Sequence, residues 1–173
     1  MSDTNETVLE KMDTVSTEFD HRTLRQALGR FATGVCVITT ANEAGQPVGL
    51  TVNSFSSVSL DPPLILWSLA KSSANRAVFE AAPTFAVNIL SADQQPIALR
   101  FAKPADDRFA GIDWWWGRAD VPVLTGASAS LQCATAQTID GGDHVIFLGQ
   151  VLTIKDSAAA PLVFHEGRFK KLV

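Results

Sequence analysis

The feature that most constrains this chain is the shortness of the gaps between its β-branched apolar runs. VCVITT (35–40), VGLTVNSF (48–55) and LILWSLA (64–70) follow one another with only NEAGQ (42–46) and LDPP (60–63) between them. A parallel pair needs a crossover of a dozen or more residues, so spacers this short predict antiparallel hairpins. TFAVNIL (84–90), ASLQCATAQTI (129–139) and HVIFLGQVLTI (144–154) continue the texture, the last two straddling a Gly-Gly-Asp stretch. Helical signal is sparse. In EFDHRTLRQALGRFATG (18–34), Leu24, Ala27, Leu28 and Phe31 repeat at helical spacing, with Asp20 placed to cap the start and Gly34 to stop the end. SSANRAVFEAA (72–82) reads as a short helix capped by Ser72 or Ser73, and another follows around Ala92–Ala102. The pattern is mainly β with few helices: a closed or partly closed antiparallel barrel.

Composition narrows the class. The 173 residues fit one domain. Apolar residues make up 46% and charged residues only 18%, an apolar excess that points to a subunit interface. With 14 Lys+Arg against 18 Asp+Glu, and Arg168, Lys170 and Lys171 as the one basic run, nucleic acid is not an expected partner. No apolar stretch approaches the ~20 residues of a membrane helix. MSDTNETVLEK is acidic and polar where a secretory signal would be basic and then apolar, so a cytoplasmic protein is expected. Residues 1–18 lack any period and read as a loose tail, leaving 19–173 as the structured domain. Cys36 and Cys133 each sit alone in an apolar run and read as small buried hydrophobes. His21, His144 and His165 lack metal-ligand spacing, and no metal site is expected. No GxGxxG, Walker A, GxSxG or HExxH motif is present.

Several stretches could carry chemistry. TVNSFSSVSL (51–60) places Thr51, Asn53, Ser57 and Ser59 on alternating positions, either a row of polar groups for an extended ligand or an amphipathic strand facing water. KSSANR (71–76) puts Lys71, hydroxyls and Arg76 around a helix start, suited to an anion or to plain capping. Arg100 and Lys103 are further candidates for a phosphate, or ordinary surface charges. Asn88 ends its strand where it could bond a ring edge or the local backbone. GGDHV (141–145) is either a turn between strands or a device that holds His144 over a pocket. The three tryptophans 114–116 cannot all point inward from one loop, so at least one meets a partner subunit or a large flat ligand.

Taken in order, LRQALGRFATGVCVITT, TVNSFSSVSLDPPLILWSL, FAVNIL, GGDHVIFLGQV and PLVFHEGRF resemble the short-chain flavin reductases, the NAD(P)H-dependent components that feed reduced flavin to two-component monooxygenases. The resemblance implies a split β-barrel of the FMN-binding type, paired as a homodimer. It implies FMN or FAD as cofactor and NADH or NADPH as hydride donor. Thr51, Val52, Asn53, Ser54, Ser56 and Ser57 would line the flavin ring and ribityl chain. Ser72, Asn75 and Arg100 would hold its phosphate, with Asn88, Phe101 and Phe169 completing the cofactor site. Gly142, Asp143 and His144 would bind the nicotinamide nucleotide, His144 being the catalytic candidate as a positioning group or counter-charge. The expected partner is a separate oxygenase such as 4-hydroxyphenylacetate 3-monooxygenase. Members of the same family also reduce a corrin intermediate, cob(II)yrinic acid a,c-diamide, which is a second candidate substrate. A non-enzymatic flavin- or heme-binding module is a third reading. The chain has no tyrosine, and Phe164 and Phe169 stand where relatives often carry an aromatic hydroxyl, so no phenol acts there.

Overall fold

The computed structural model describes residues 18–105, 107–118 and 120–172, and the expected tail lies outside them except for Glu18. The chain divides into two compact units, one ending at Phe31 and the other beginning at Ala32. In the first, helix α1 spans His21–Leu28. Asp20 caps it, its Oδ1 accepting the Thr23 N–H at 2.7 Å, and that bond holds the Asp20 carboxyl below its ordinary range. The helix stops before Gly29 rather than at Gly34, and Arg30 and Phe31 donate to Ala27 and Leu28 in a tightened last turn. Gly34 instead ends strand β1 (Thr33–Gly34).

The second unit is built on a seven-stranded sheet. Its strands are β2 (Cys36–Ala41), β3 (Pro47–Val52), β4 (Ser56–Leu60), β5 (Pro63–Ala70), β6 (Thr84–Ile89), β9 (Ala129–Gly141) and β10 (His144–Asp156), in the order β3-β2-β6-β9-β10-β5-β4. Every neighbouring pair is antiparallel, and the short spacers account for three of them, β2–β3, β4–β5 and β9–β10. Helix α2 (Arg76–Ala81) precedes β6 and helix α3 (Gln95–Phe101) follows it. Two small sheets complete the unit. One joins β1 to β11 (Val163–His165) and β12 (Arg168–Lys170); the other is β7 (Trp114–Trp116) against β8 (Pro122–Leu124).

The hydroxyl-rich 51–60 stretch is not one strand. It breaks after Val52, and its two halves form opposite edges of the sheet. Laid flat, six inter-strand spacings would separate β3 from β4 by nearly 30 Å. Val52 and Ser56 are only four Cα steps apart, about 14 Å at full stretch. The sheet must therefore curl until its edges approach each other, and residues 53–55 bridge the gap. Ser54 makes that bridge: its Oγ accepts the Ser68 N–H at 2.9 Å and donates to the Ser68 carbonyl at 3.0 Å, standing in for the ladder that β4 has not yet begun.

Pleating decides where the core sits. In β5, Ile65, Trp67 and Leu69 are buried; in β10, Val145, Phe147 and Gly149 are. Trp67 stacks on Phe147 at 4.5 Å and meets Phe79 and Phe85 edge-on at 5.2 and 5.8 Å. Cys36 and Cys133 belong to the same cluster, and burial pushes both thiols up to about 12, consistent with small hydrophobes rather than nucleophiles. A second cluster gathers Val35, Val37, Leu90, Ala98, Phe101, Phe109, Leu124 and Leu162.

The tryptophan segment, expected as a long loop, forms strand β7. Trp114 packs against Phe109 and Trp116 at 5.5 and 5.0 Å, while Lys155 Nζ lies 5.4 Å over the Trp115 ring. Trp115 and Trp116 stay exposed, so the three do not all turn inward. Among the described residues no helix is long and apolar enough to cross a membrane.

Candidate functional site

A cavity with two lobes lies beside β3. Thr51, Val52, Asn53 and Ala102 line both, which makes them adjoining parts of one site. The larger lobe, about 340 Å³, is polar: Ser54, Ser68, Ser73, Asn75, Arg108 and His144 share it with the ring of Phe101. The smaller, about 200 Å³, is apolar and walled by Val35, Ala98, Phe164 and Phe169. Among the described residues no Asp or Glu lines either lobe.

Register explains how His144 reaches the cavity. It pairs with Ala70 across β5 and β10, and Ile146 pairs with Ser68. Directly opposed residues share a face, so His144, Ala70 and Ser68 stand together on the side away from Trp67 and Phe147. The hairpin that delivers His144 turns on Gly142, whose φ of 80° at the first central position is that of a type II′ turn. The two readings of GGDHV thus hold together: Gly142 and Asp143 are the turn, and the turn sets His144 at the cavity. The corner is fixed further by the Lys71 N–H donating to the Asp143 carbonyl at 2.9 Å. His144 Nδ1 lies 2.7 Å from Asp143 Oδ1. Outside, Lys71 Nζ donates to Asp140 Oδ2 at 2.7 Å, and this bond holds the Asp140 carboxyl below its ordinary range.

Of the polar row expected along this stretch, Asn53 lines both lobes, whereas the Thr51 and Ser54 hydroxyls are committed elsewhere. Thr51 Oγ1 donates to the Ala98 carbonyl at 2.7 Å, fastening β3 to α3, and Ser54 is bound to Ser68. What β3 offers the cavity is backbone. The Gly49 carbonyl points outward, where Arg108 Nη1 donates to it at 2.8 Å. By the alternation of an antiparallel ladder, the Thr51 N–H and carbonyl point the same way.

Of the remaining candidates, Asn75, Phe101 and Phe169 line the cavity, whereas Ser56 and Ser57 are exposed on β4 and outside it. Ser72 is exposed, and its neighbour Ser73 lines the polar lobe instead. Neither serine caps α2, which starts only at Arg76 after Asn75. Asn88 is fully buried: Nδ2 donates to the Val37 carbonyl and Thr39 Oγ1, and Oδ1 accepts the Leu124 N–H at 2.9 Å. It ties β2, β6 and β8 together and lines neither lobe. Arg100 points to the Asp107 carbonyl at 3.3 Å, off the cavity wall. The cation that does line the polar lobe is Arg108, which no periodic or motif signal marks. The sequence reading also passed over Ser68, although in LILWSLA it falls on the face opposite Ile65, Trp67 and Leu69.

Residues 28–173 match the family described as flavin reductase like domain. This chain belongs to that family. The reductase component of the flavin-dependent trigonelline monooxygenase from Acinetobacter baylyi is 45% identical over 148 residues, covering 86% of this chain and 48% of that protein. The NADH-dependent FMN reductase of Agrobacterium fabrum is 46% identical over 148 residues, covering 86% and 84%. A solved NADH:FAD oxidoreductase of Streptomyces globisporus, in complex with NAD and FAD fragments, superposes with a TM-score of 0.86 at 40% identity over 92% of this chain and 96% of its own. The chain spans about half the length of two curated relatives, 49% of one from Rhizobium meliloti and 48% of the trigonelline component. Flavin reductase family membership accounts for the mainly β architecture with few helices.

Proposed function

We propose that the chain is an NAD(P)H:flavin oxidoreductase that reduces FMN or FAD in the two-lobed cavity and passes the reduced flavin to a separate monooxygenase. The observation that carries this reading is the cavity itself. An apolar slot walled by Phe164 and Phe169 adjoins a polar lobe rich in donors, as a flat heteroaromatic ring with a polar chain demands. The relatives named as NADH-dependent FMN and FAD reductases support the donor and the cofactors.

A bound flavin supplies the ring that accepts hydride and stores the electrons. The chain's part is placement. Phe164 and Phe169, in contact at 5.4 Å, exclude water from one end. The outward Thr51 N–H gives a donor to a ring edge where negative charge develops. His144, its Nδ1 anchored by Asp143, would hold the nicotinamide in place at the cavity wall. Hydride transfer asks no side chain for a proton, so His144 acts through position and charge.

On this reading residues 19–173 form the reductase unit, the curled sheet is a split barrel of the FMN-binding type, and two copies pair. Exposed Leu152 and Ile154 on β10 and Trp115 and Trp116 on β7 offer apolar surface for such pairing. The reaction belongs in the cytoplasm, where NADH is available. Relatives named as reductase components of trigonelline and other flavin-dependent monooxygenases support an oxygenase partner, of which 4-hydroxyphenylacetate 3-monooxygenase is one example. The corrinoid and non-enzymatic readings draw no support from these names. Anaerobic stopped-flow mixing with NADH or NADPH and FMN or FAD tests the proposal. Bleaching of the flavin's visible band is expected; no bleaching in any combination contradicts it.

A further inference from the structure

We infer that Lys71 and Asp140 form a strap across the end of β10 that sets the orientation of His144, which makes them positioning residues for the nicotinamide nucleotide without contact to it. The inference rests on the reading of His144 as the group that holds the nicotinamide at the cavity wall.

Strand order supplies the geometry. β10 lies between β9 and β5, and His144, its first residue, faces Gly141 on β9 and Ala70 on β5. Asp140 directly precedes Gly141, and Lys71 directly follows Ala70. The 2.7 Å bond from Lys71 Nζ to Asp140 Oδ2 therefore runs from one flanking strand to the other, over the end of the strand that carries His144. Two inter-strand spacings are about 10 Å, a span that needs the long stem of a lysine.

The turn under the strap is gripped at three consecutive residues. The Gly142 N–H donates to Asp140 Oδ1 at 3.0 Å, the Asp143 carbonyl accepts the Lys71 N–H at 2.9 Å, and Asp143 Oδ1 lies 2.7 Å from His144 Nδ1. Each Asp140 carboxylate oxygen has its own donor, one from the turn and one from the far strand. Lys71 and the Gly142 N–H together hold that carboxyl below its ordinary range, and the charge of Arg76 adds to the effect while its Nε donates to Glu80. Packing supplies no substitute: residues 136–143 are all exposed, and burial begins only at Val145. Neither Lys71 nor Asp140 lines either lobe, and alternation along β9 sends the Asp140 carboxylate to the side opposite the His144 ring. An exposed ion pair adds little to global stability, but a ring displaced by about 1 Å loses much of its value in aligning two reactants.

The test compares wild type with Asp140→Ala, Lys71→Met and Lys71→Arg, each also in a His144→Ala background. KM for NADH is read from steady-state assays, and NAD+ titrated into the FMN-saturated protein gives a Kd independent of turnover. Asp140→Ala and Lys71→Met are each expected to raise both constants about three- to fivefold, the value of one exposed charged bond, and to speed hydrogen exchange in a peptide covering 140–146. At saturating NADH, kcat should stay within about twofold, and the FMN Kd should not move. Lys71→Arg should restore the wild-type constants, since it keeps the charge and the reach. In the His144→Ala background neither loss should raise them further, because the residue being positioned is gone. A direct contact of Lys71 with the dinucleotide predicts the opposite sign for Asp140→Ala, which frees the ammonium and would tighten NADH; that result overturns the inference. So does faster exchange with unchanged constants, or a full additional loss in the His144→Ala background. A protein that binds NAD+ in a strap-dependent way yet never bleaches flavin keeps the inference and sinks the proposed reaction instead.

Discussion

On one face of the β5–β10 pair, Trp67 and Phe147 stack at 4.5 Å inside an aromatic cluster; on the other, Ser68, Ala70 and His144 stand in the wall of the cavity. The same backbone ladder holds both sets, and only the two-residue pleat separates them. The closed face excludes water and is tightly fitted, to the point that a Cβ on Gly149 would lie 2.4 Å from the Phe85 ring. Where the open face meets the cavity, at Ser68, Ala70 and His144, its side chains are small or polar and empty volume lies beside them. On the proposed function, stability and ligand binding are divided by residue parity along two strands, and substitutions on alternate positions should separate them.

The sharpest break is Trp67→Ala. Removing a fully buried ring that touches Phe79, Phe85 and Phe147 should cost about 3–5 kcal/mol of unfolding free energy in denaturant titration. Trp67→Phe should cost much less, because the indole N–H has no hydrogen-bond partner among the described residues to lose. A mild Trp67→Ala would mean the closed face does not anchor the sheet.

Gly149→Ala comes next. With Phe85 at 2.4 Å and Cys133 at 3.2 Å, the added methyl must displace core atoms, for about 1–3 kcal/mol measured the same way. Parity reverses the outcome for His144→Ala. Its unfolding free energy should stay within about 0.5 kcal/mol of wild type, while KM for NADH rises about tenfold, the value of one ordinary hydrogen bond, and flavin affinity survives. A destabilised His144→Ala, or one that loses flavin binding, would break the division.

The smallest effect lies outside both faces, at Asp140. Its carboxyl is held below the ordinary value of 3.8 by Lys71, so its contribution is present above that value and fades as pH falls through the lowered one. The pair is exposed and screened. Asp140→Asn should leave the thermal midpoint at neutral pH unchanged within error and flatten only the acid end of its pH profile.

Legibility in the sequence followed the range of the forces involved. β2, β5, β6, β9 and β10 were readable because alternation and short spacers are local properties. The break at 53–55 was not, since Ser54 stops the strand by bonding Ser68, fourteen residues away in sequence. Asn88 stayed ambiguous for a like reason: its partners come from Val37, Thr39 and Leu124. The α2 start was misplaced because Ser72 and Ser73 look like caps, while the Ser73 N–H closes a turn back to Ala70. Within the site, His144 was readable from its turn. Arg108 was not, because its place is set by the Gly49 carbonyl across a loop without periodicity. The chemistry itself came from family resemblance rather than from spacing.

Hydrogen exchange of the full chain with and without FMN most directly tests the claim that the cavity beside β3 is the cofactor site. Protection on adding FMN is expected in peptides covering 49–54 and 101–108, with the β7–β8 hairpin unchanged. Protection confined to β7–β8, or to the β2–β3 turn and α2, with 49–54 exchanging as before, would contradict it.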